Sequence, residues 1–324
     1  MSLNKLSLLV VLSLAFSACD DSATTPANEG GTAAGTTVSG TMMDERMGLG
    51  DTDALACTGI YCPSARLSGL TIPADAAAAT AGGCRLAGSS NGTALGGLLA
   101  LAGGAVDTNS FVQPDPMTGE IKLVLLNHLK GWEAGSTGNA AGELVANFYT
   151  GVQAGEAFEI DPVSLHDDGT PYISFPGTTV TDGLLRTPTS TFTVNLPILD
   201  GVNLGIRLDQ AKLEGDVTVD ATGFNLGAGV LGGYLTKDGV MELINGLIAA
   251  CTSPMPPSAL SSVCPIIGTD AQTAFALLSS FVTFDTLVED GAAATSCATA
   301  DCNALSVCLL VEMSSASVTG IAMP

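Results

Sequence analysis

The segment 204–235 constrains the fold most, because apolar and polar residues alternate along it. The apolar positions are Ala211, Leu213, Gly215, Val217 and Val219. The polar positions between them are Gln210, Lys212, Glu214, Asp216 and Thr218. Side chains of a strand alternate between its two faces, so this period of two predicts a strand with one buried and one solvated face.

A turn sequence follows this strand at residues 220–223, Asp-Ala-Thr-Gly. The apolar residues Phe224, Leu226, Ala228 and Val230 then continue the alternation, which predicts a long antiparallel hairpin. Glycine is scarce inside ordinary strands, so its repetition here predicts bulges or close packing of another element. These glycines are Gly227, Gly229, Gly232 and Gly233.

The remaining chain predicts a mainly β fold with two helices, an α+β class. Further strands are predicted at 120–126, 143–149, 157–160 and 191–198, and a last one over 305–321. Helices are predicted near 237–250 and 270–283, where apolar residues recur at helical spacing. We therefore expect an antiparallel, β-sandwich-like domain over 116–324, preceded by an Ala/Gly/Cys-rich segment over 51–115.

The first residues are typical of an export signal. Lys5 precedes the apolar run 6–16, which is too short for the roughly 20 residues of a membrane-spanning helix. Small residues then precede Cys19 and resemble the lipobox of bacterial lipoproteins, with Phe16 where that pattern usually has leucine. The resemblance implies a signal peptide over 1–18 and a palmitate-type lipid on Cys19. The alternative is ordinary secretion with Cys19 as a thiol.

The expected location follows from this signal. Residues 19–50 are rich in Thr, Gly, Ala and Ser and predict a flexible tether. The ectodomain would then be held at the membrane of the bacterial cell envelope, facing the periplasm or the exterior.

Eight further cysteines predict disulfides, because an even set in an exported chain is typical of a disulfide framework. They are Cys57, Cys62, Cys84, Cys251, Cys264, Cys297, Cys302 and Cys308. Cys251 and Cys264 flank a proline-rich loop, and Cys297 and Cys302 flank a short turn. The N-terminal three leave an odd member that Cys308 would complete. A zinc site is the competing interpretation, but no CxxC spacing occurs.

Charge limits the classes of partner. The chain has 10 Lys and Arg against 32 Asp and Glu, a net charge of −22, which excludes binding to nucleic acid phosphates through a basic face. Aromatic residues make up only 5%, so a dense aromatic ligand lining is not expected. An envelope protein or glycan remains the expected class of partner.

The order of elements over 190–324 resembles that of uncharacterised exported lipoproteins from gliding and predatory soil and marine bacteria. The resemblance includes 231–238 (LGGYLTKD), which leads from a strand into a helix. In such proteins an Asp/Gly-rich, calcium-type loop often precedes the last strand. Here that place holds 296–303 (SCATADCN), and the resemblance implies that a disulfide replaces the metal. It implies no activity.

Little in the sequence indicates chemistry. P-loop and HExxH spacings are absent, and we predict no catalytic residue and no cofactor. His128 is interpreted as a polar residue at a strand end, and Trp132 as a partly buried structural residue. Asp167 and Asp168, with Asp161 near them, have the oxygen ligands that Ca²⁺ prefers, but a plain Asp-Gly turn after His166 is the simpler interpretation.

The sequence therefore predicts a non-catalytic envelope lipoprotein with a binding or structural ectodomain. Two alternatives stay open. One is a calcium-binding surface module. The other is a hydrolase in which carboxylates converge, the candidates being Asp161, Asp167, Asp168, Glu214 and Asp216.

Overall fold

The computed structural model describes residues 59–96, 107–132, 144–199, 202–256, 260, 264–280, 282–298 and 301–323. The predicted signal peptide, the tether, Cys19 and Cys57 lie outside these residues.

Strands dominate the described residues. They are β1 (Ser64–Thr71), β2 (Leu125–Lys130), β3 (Val145–Ala154), β4 (Ala157–Ile160), β5 (Ile173–Pro176), β6 (Thr179–Thr181), β7 (Leu184–Arg186), β8 (Ser190–Leu199), β9 (Val202–Val219), β10 (Phe224–Thr236), β11 (Thr286–Leu287), β12 (Thr295–Ser296), β13 (Ala304–Ser315) and β14 (Val318–Ile321). The helices are α1 (Ala76–Ala81), α2 (Asn109–Val112), α3 (Lys237–Thr252), α4 (Cys264–Ile267) and α5 (Ala271–Leu278). A 3₁₀ turn spans Pro162–Ser164.

The strands form one mostly antiparallel sheet, which confirms the predicted fold class. Its main order is β14-β4-β3-β2-β1-β13-β10-β9-β7-β6, with only β14 and β4 paired in parallel. In addition, β5 pairs with β3 and β8 pairs with β9. The Ser190 hydroxyl donates to the carbonyl of Ser174 at 2.8 Å, so β8 lies beside β5 and the sheet curls over a shared core.

Aromatic residues hold the two sides of this core together. The Phe148 ring meets Phe175 and Phe192 edge-on, with centroids 5.8 and 5.4 Å apart. Trp132 is buried against Phe224, which agrees with its predicted structural role. The inner faces of β3, β5, β8 and β10 thus contribute to one hydrophobic cluster.

The predicted hairpin is present as β9 and β10. Leu213 and Val217 are buried while Glu214 and Asp216 are exposed, as the alternation predicts. The prediction fails after Leu226, because a bulge between Gly227 and Val230 shifts the register by one residue. Ala228 is therefore exposed, and Val230 packs on the outer face against the cluster of Cys84 and Cys308. The glycines do mark bulges, as predicted.

Strand order was not predicted from the sequence. β1, for which no strand was predicted, lies in the middle of the sheet between β2 and β13. The predicted last strand is split: β13 is central, and only β14 lies at an edge. The strand predicted at 120–126 begins at Leu125, so His128 lies inside β2 and not at its end.

The two predicted helices differ in accuracy. α3 begins after Thr236 as predicted, where the Thr236 hydroxyl accepts a hydrogen bond from the Gly239 N–H, and it ends at Thr252, two residues later than predicted. α5 begins after Asp270 but ends at Leu278, five residues early. The hydroxyls of Ser279 and Ser280 donate to the carbonyls of Phe275 and Leu277, and such local bonds compete with helix continuation.

Cysteine pairs confirm the disulfide prediction for the described residues. Bonds join Cys84 to Cys308, Cys251 to Cys264 and Cys297 to Cys302. Cys62 is disulfide-bonded as well. Within the described part of the chain, every helix is too short or too polar to cross a membrane.

Candidate functional site

A groove of about 1020 Å³ lies over the outer face of β9 and β10, and we call it the β9–β10 groove. This volume lies at the upper end of the range for ligand sites. More than half of its described lining is glycine or alanine, so the floor carries few side chains. Representative floor residues are Gly215, Ala228 and Gly232.

The first wall is the loop that follows α1. The disulfide from Cys84 to Cys308 ties this loop to the central strand β13. Leu86 packs on the floor, since a Cβ on Gly232 would lie 2.9 Å from its Cδ2. The N–H of Ala87 donates to the hydroxyl of Tyr234 at 3.1 Å. Burial raises the pKa of Tyr234, as does the charge of Asp285, so the hydroxyl stays protonated.

A buried carboxylate holds the same wall from behind. Asp285 is only 3% exposed, and its Oδ2 accepts a hydrogen bond from the Ser90 N–H at 2.7 Å. The Thr286 hydroxyl donates to Oδ1 at 3.0 Å. A Cβ on Gly88 would lie 2.6 Å from Asp285 Oδ2, so this approach requires glycine. Hydrogen bonds from main-chain N–H and hydroxyl groups stabilise a buried carboxyl group, and here they fix the loop.

The second wall is the loop 291–294, and Gln210 holds it. Gln210 lies in a bulge of β9 with φ of 49°, which turns its side chain toward this loop. Its Nε2 donates to the carbonyl of Ala292 at 2.7 Å, and its Oε1 accepts from the N–H of Ala294 at 3.1 Å. One side chain therefore fixes the loop through two main-chain bonds.

The charges of the groove are mixed. Glu214 is paired with Arg186 at 3.3 Å, and both side chains are 55% exposed. Arg85, Lys212 and Asp216 also line the groove and are exposed. Among the described residues, no ion pair or hydrogen bond engages these three side chains. The groove thus offers both free cations and a free carboxylate to a ligand.

Two glycine spacings known from enzymes occur in the described chain, and sequence reasoning did not identify either. Residues 88–92 have the GxSxG spacing of a nucleophile elbow, centred on Ser90. The Ser90 hydroxyl lies 2.8 Å from that of Ser306, and the two histidines lie elsewhere, on β2 and in the turn at 166–169. Residues 227–232 have the GxGxxG spacing, but they lie inside β10 and not between a strand and a helix. Both segments have structural roles.

The predicted acidic cluster forms local turns. Asp161 caps the 3₁₀ turn by accepting from the Val163 N–H at 3.1 Å. Asp168 accepts from the N–H and hydroxyl of Thr170 at 2.9 and 2.6 Å, and these bonds lower its pKa. Asp167 and His166 are exposed beside it. Of the five carboxylates considered for a hydrolase, only Glu214 and Asp216 line the groove. In the described part of the chain, no three metal-type ligands come together.

His128 is a buried group that the sequence interpretation placed incorrectly. It is 4% exposed, and its ring centroid lies 5.8 Å from that of Tyr61. Burial lowers the pKa of His128 to about 4, despite an opposing hydrogen bond with the Cys62 backbone. Burial also raises the pKa of the neighbouring Tyr149 to about 12. Both groups are neutral at pH 7, which is typical of a structural core site.

Sequence reasoning missed the groove itself. Its polar floor residues appeared as an ordinary solvated strand face, and its walls come from loops far away in the chain. The repeated glycines of β10 were the available signal, since they indicated close approach of another element. Comparison with protein-family models, with curated proteins and with solved structures finds no match.

Proposed function

We propose that the protein is a non-catalytic, lipid-anchored protein of the bacterial cell envelope whose ectodomain binds a ligand in the β9–β10 groove. The observation that carries this proposal is that both walls are fixed independently. A disulfide and the buried Asp285 hold one wall, and the Gln210 side chain holds the other. Preformed sites bind with a smaller cost in conformational entropy, so rigid walls favour a binding role.

The arrangement of carboxylates supports binding over hydrolysis. Glu214 and Asp216 project from the same face of one strand, two residues apart. Two-carboxylate sugar hydrolysis needs acids that flank the scissile bond from different sides. Glu214 is also neutralised by Arg186. The pair is better suited to contact a ligand than to cleave one.

The disulfides support an exported location. Such bonds persist in oxidising compartments and are rare in the cytosol. Incorporation of labelled palmitate tests the anchor: the label should disappear in Cys19→Ser. Label that persists in this variant would contradict lipidation at Cys19 without affecting the groove.

Blocking the groove tests the binding role. Thr189 is exposed at the groove rim, so Thr189→Trp should obstruct it. Thr179→Trp is the matched control, because Thr179 is exposed on β6 and lies outside the groove lining. Cross-linking in native envelopes should give a partner or glycan adduct with the wild type and the control but not with Thr189→Trp. An adduct that survives Thr189→Trp would show that the groove is not the binding site.

A further inference from the structure

The β9–β10 groove has charges of opposite sign at its two ends. We call Arg85 and Lys212 the cationic end, and Asp216, together with Glu312 of a second hollow that Asp216 also lines, the acidic end. All four side chains are exposed. Among the described residues, none of the four side chains has an ion-pair partner.

Packing and strand register place the residues at these ends. Gly232 pairs with Lys212 across the hairpin, and Leu86 packs against Gly232. Arg85, the neighbour of Leu86, therefore belongs to the Lys212 end. Gly227 pairs with Asp216 at the other end. Asp216 also lines a second hollow, whose lining includes Glu312.

Free cations are unusual in this chain, which has 10 Lys and Arg against 32 Asp and Glu. Of the other described cations, Arg207 is paired with Asp209 at 3.2 Å, and the Lys237 ammonium lies 5.3 Å from the centroid of the Phe284 ring. Two unpaired cations in one groove of an acidic protein favour a ligand that brings its own anionic group. The acidic end likewise favours a cationic group.

We propose that the groove binds an extended peptide segment with an acidic group at the cationic end and a basic group at the acidic end. This inference rests on the proposed binding function. Lys212 and Asp216 are four residues apart on one strand face, a separation of about 14 Å at about 3.4 Å per residue. The two charges of an extended peptide would therefore be about four residues apart as well.

The lining is better suited to a peptide than to a sugar chain. Tyr234 is the one aromatic residue in the described lining, and it is only 7% exposed. The glycine and alanine floor instead leaves space for side chains supplied by the ligand. At physiological ionic strength the Debye length is about 8 Å, so the remote negative charges of the protein are largely screened from the peptide.

Four fluorescent nonapeptides test the proposal against the full chain in detergent by fluorescence anisotropy. One has a glutamate and a lysine four positions apart. The other three have two glutamates, two lysines or two glutamines at the same positions. The mixed peptide should bind about fivefold more tightly than the glutamine peptide, as expected for exposed charge pairs. Raising the salt concentration should reduce this difference.

Charge reversal provides the decisive comparison. Lys212→Glu should weaken the mixed peptide about tenfold and make the two-lysine peptide the preferred one. Asp216→Lys should make the two-glutamate peptide the preferred one. Lys130→Glu is the matched control, because Lys130 is an exposed cation outside the groove. This variant should rank the four peptides by affinity as the wild type does. Arg85→Glu should repeat the effect of Lys212→Glu and provides an independent variant.

Several results would overturn the inference. Equal affinities for all four peptides would overturn it. So would a ranking of peptide affinities that stays the same in Lys212→Glu, Arg85→Glu and Asp216→Lys. If no peptide binds but the adduct sensitive to Thr189→Trp persists, the peptide class is wrong and the proposed function stands. If no peptide binds and no adduct sensitive to Thr189→Trp forms, the proposed function is wrong as well.

Discussion

At the scale of single residues, His128 shows how burial sets protonation. Its folded pKa of about 4 lies below the ordinary value of 6.5, so the unfolded chain takes up the proton first as the pH falls. The titration of His128 therefore leaves the unfolding free energy unchanged above about pH 6.5, and it decreases this free energy as the pH falls from 6.5 to 4.

The expected effect is measurable by urea unfolding. Between pH 7 and pH 4 the wild type should lose roughly 3 kcal/mol more stability than His128→Gln, which has no titrating ring. His166→Gln is the control, because His166 is exposed and should keep the wild-type pH dependence. Equal pH profiles for wild type and His128→Gln would contradict the burial of a neutral histidine.

Gly92 is a residue at which backbone and packing both require glycine. Its φ is +91°, and a Cβ there would overlap the Cβ of Cys308. Gly119 has a φ of +74° with open space around it. Gly92→Ala should cost about 3 kcal/mol of unfolding free energy, because steric overlap adds to backbone strain.

Gly119→Ala supplies the comparison in the same denaturation assay. It should cost about 1 kcal/mol, the strain of a left-handed alanine alone. If the two variants lose equal stability, the close approach of residues 88–93 to β13 is incorrect.

At the scale of elements, the bulges of β9 and β10 decide where the groove lies. Alternation in 211–219 was enough to predict β9 and its buried face. Which residues of β10 face the core was not predictable, because glycines indicate that a bulge exists but not which residues it leaves unpaired. The single-residue shift exposes Ala228 and moves Val230 to the outer face.

The bulge at Gln210 leads to a prediction about the loop 291–294. Gln210→Asn keeps a residue that tolerates positive φ but is one methylene too short for both main-chain bonds. Amide exchange of Ala294 should become at least tenfold faster, because its acceptor is lost. Gln153→Asn, on the exposed end of β3, should leave it unchanged. Unaltered exchange in Gln210→Asn would show that the loop is held by other contacts.

At the scale of the whole molecule, the disulfides divide into two kinds. Cys84 and Cys308 are separated by 224 residues, whereas Cys251 and Cys264 are separated by 13. The local pair was predictable from cysteines flanking one loop. For the long-range bond, the positions of the cysteines in the sequence indicated only that Cys308 pairs with one of Cys57, Cys62 and Cys84.

These two bonds should differ in what they stabilise. Replacing both Cys84 and Cys308 by alanine should lower the unfolding free energy by about 4 kcal/mol and also weaken groove binding. Replacing Cys251 and Cys264 by alanine should cost about 3 kcal/mol and leave groove binding intact. Denaturation and the peptide assay together measure both effects. Groove binding that survives loss of Cys84 and Cys308 would mean that this wall does not depend on the disulfide.

Strand order was the least predictable property of the molecule. The pairing of β1 with β13 joins segments about 240 residues apart, and no local pattern in residues 64–71 indicates that partner. Composition instead suggested a boundary near 115, because alanine and glycine dominate the chain there. Burial of Ala65 and Leu67 reflects long-range pairing, which a window of neighbouring residues does not contain.

The central position of β13 also determines when folding can finish. The middle of the sheet stays open until residues 304–315 become available, since β13 fills the place between β1 and β10. A polypeptide still emerging from the ribosome therefore exposes unpaired strands for most of its synthesis. If the chain is exported, as we propose, this strand order would keep it unfolded until nearly all of it has crossed the membrane.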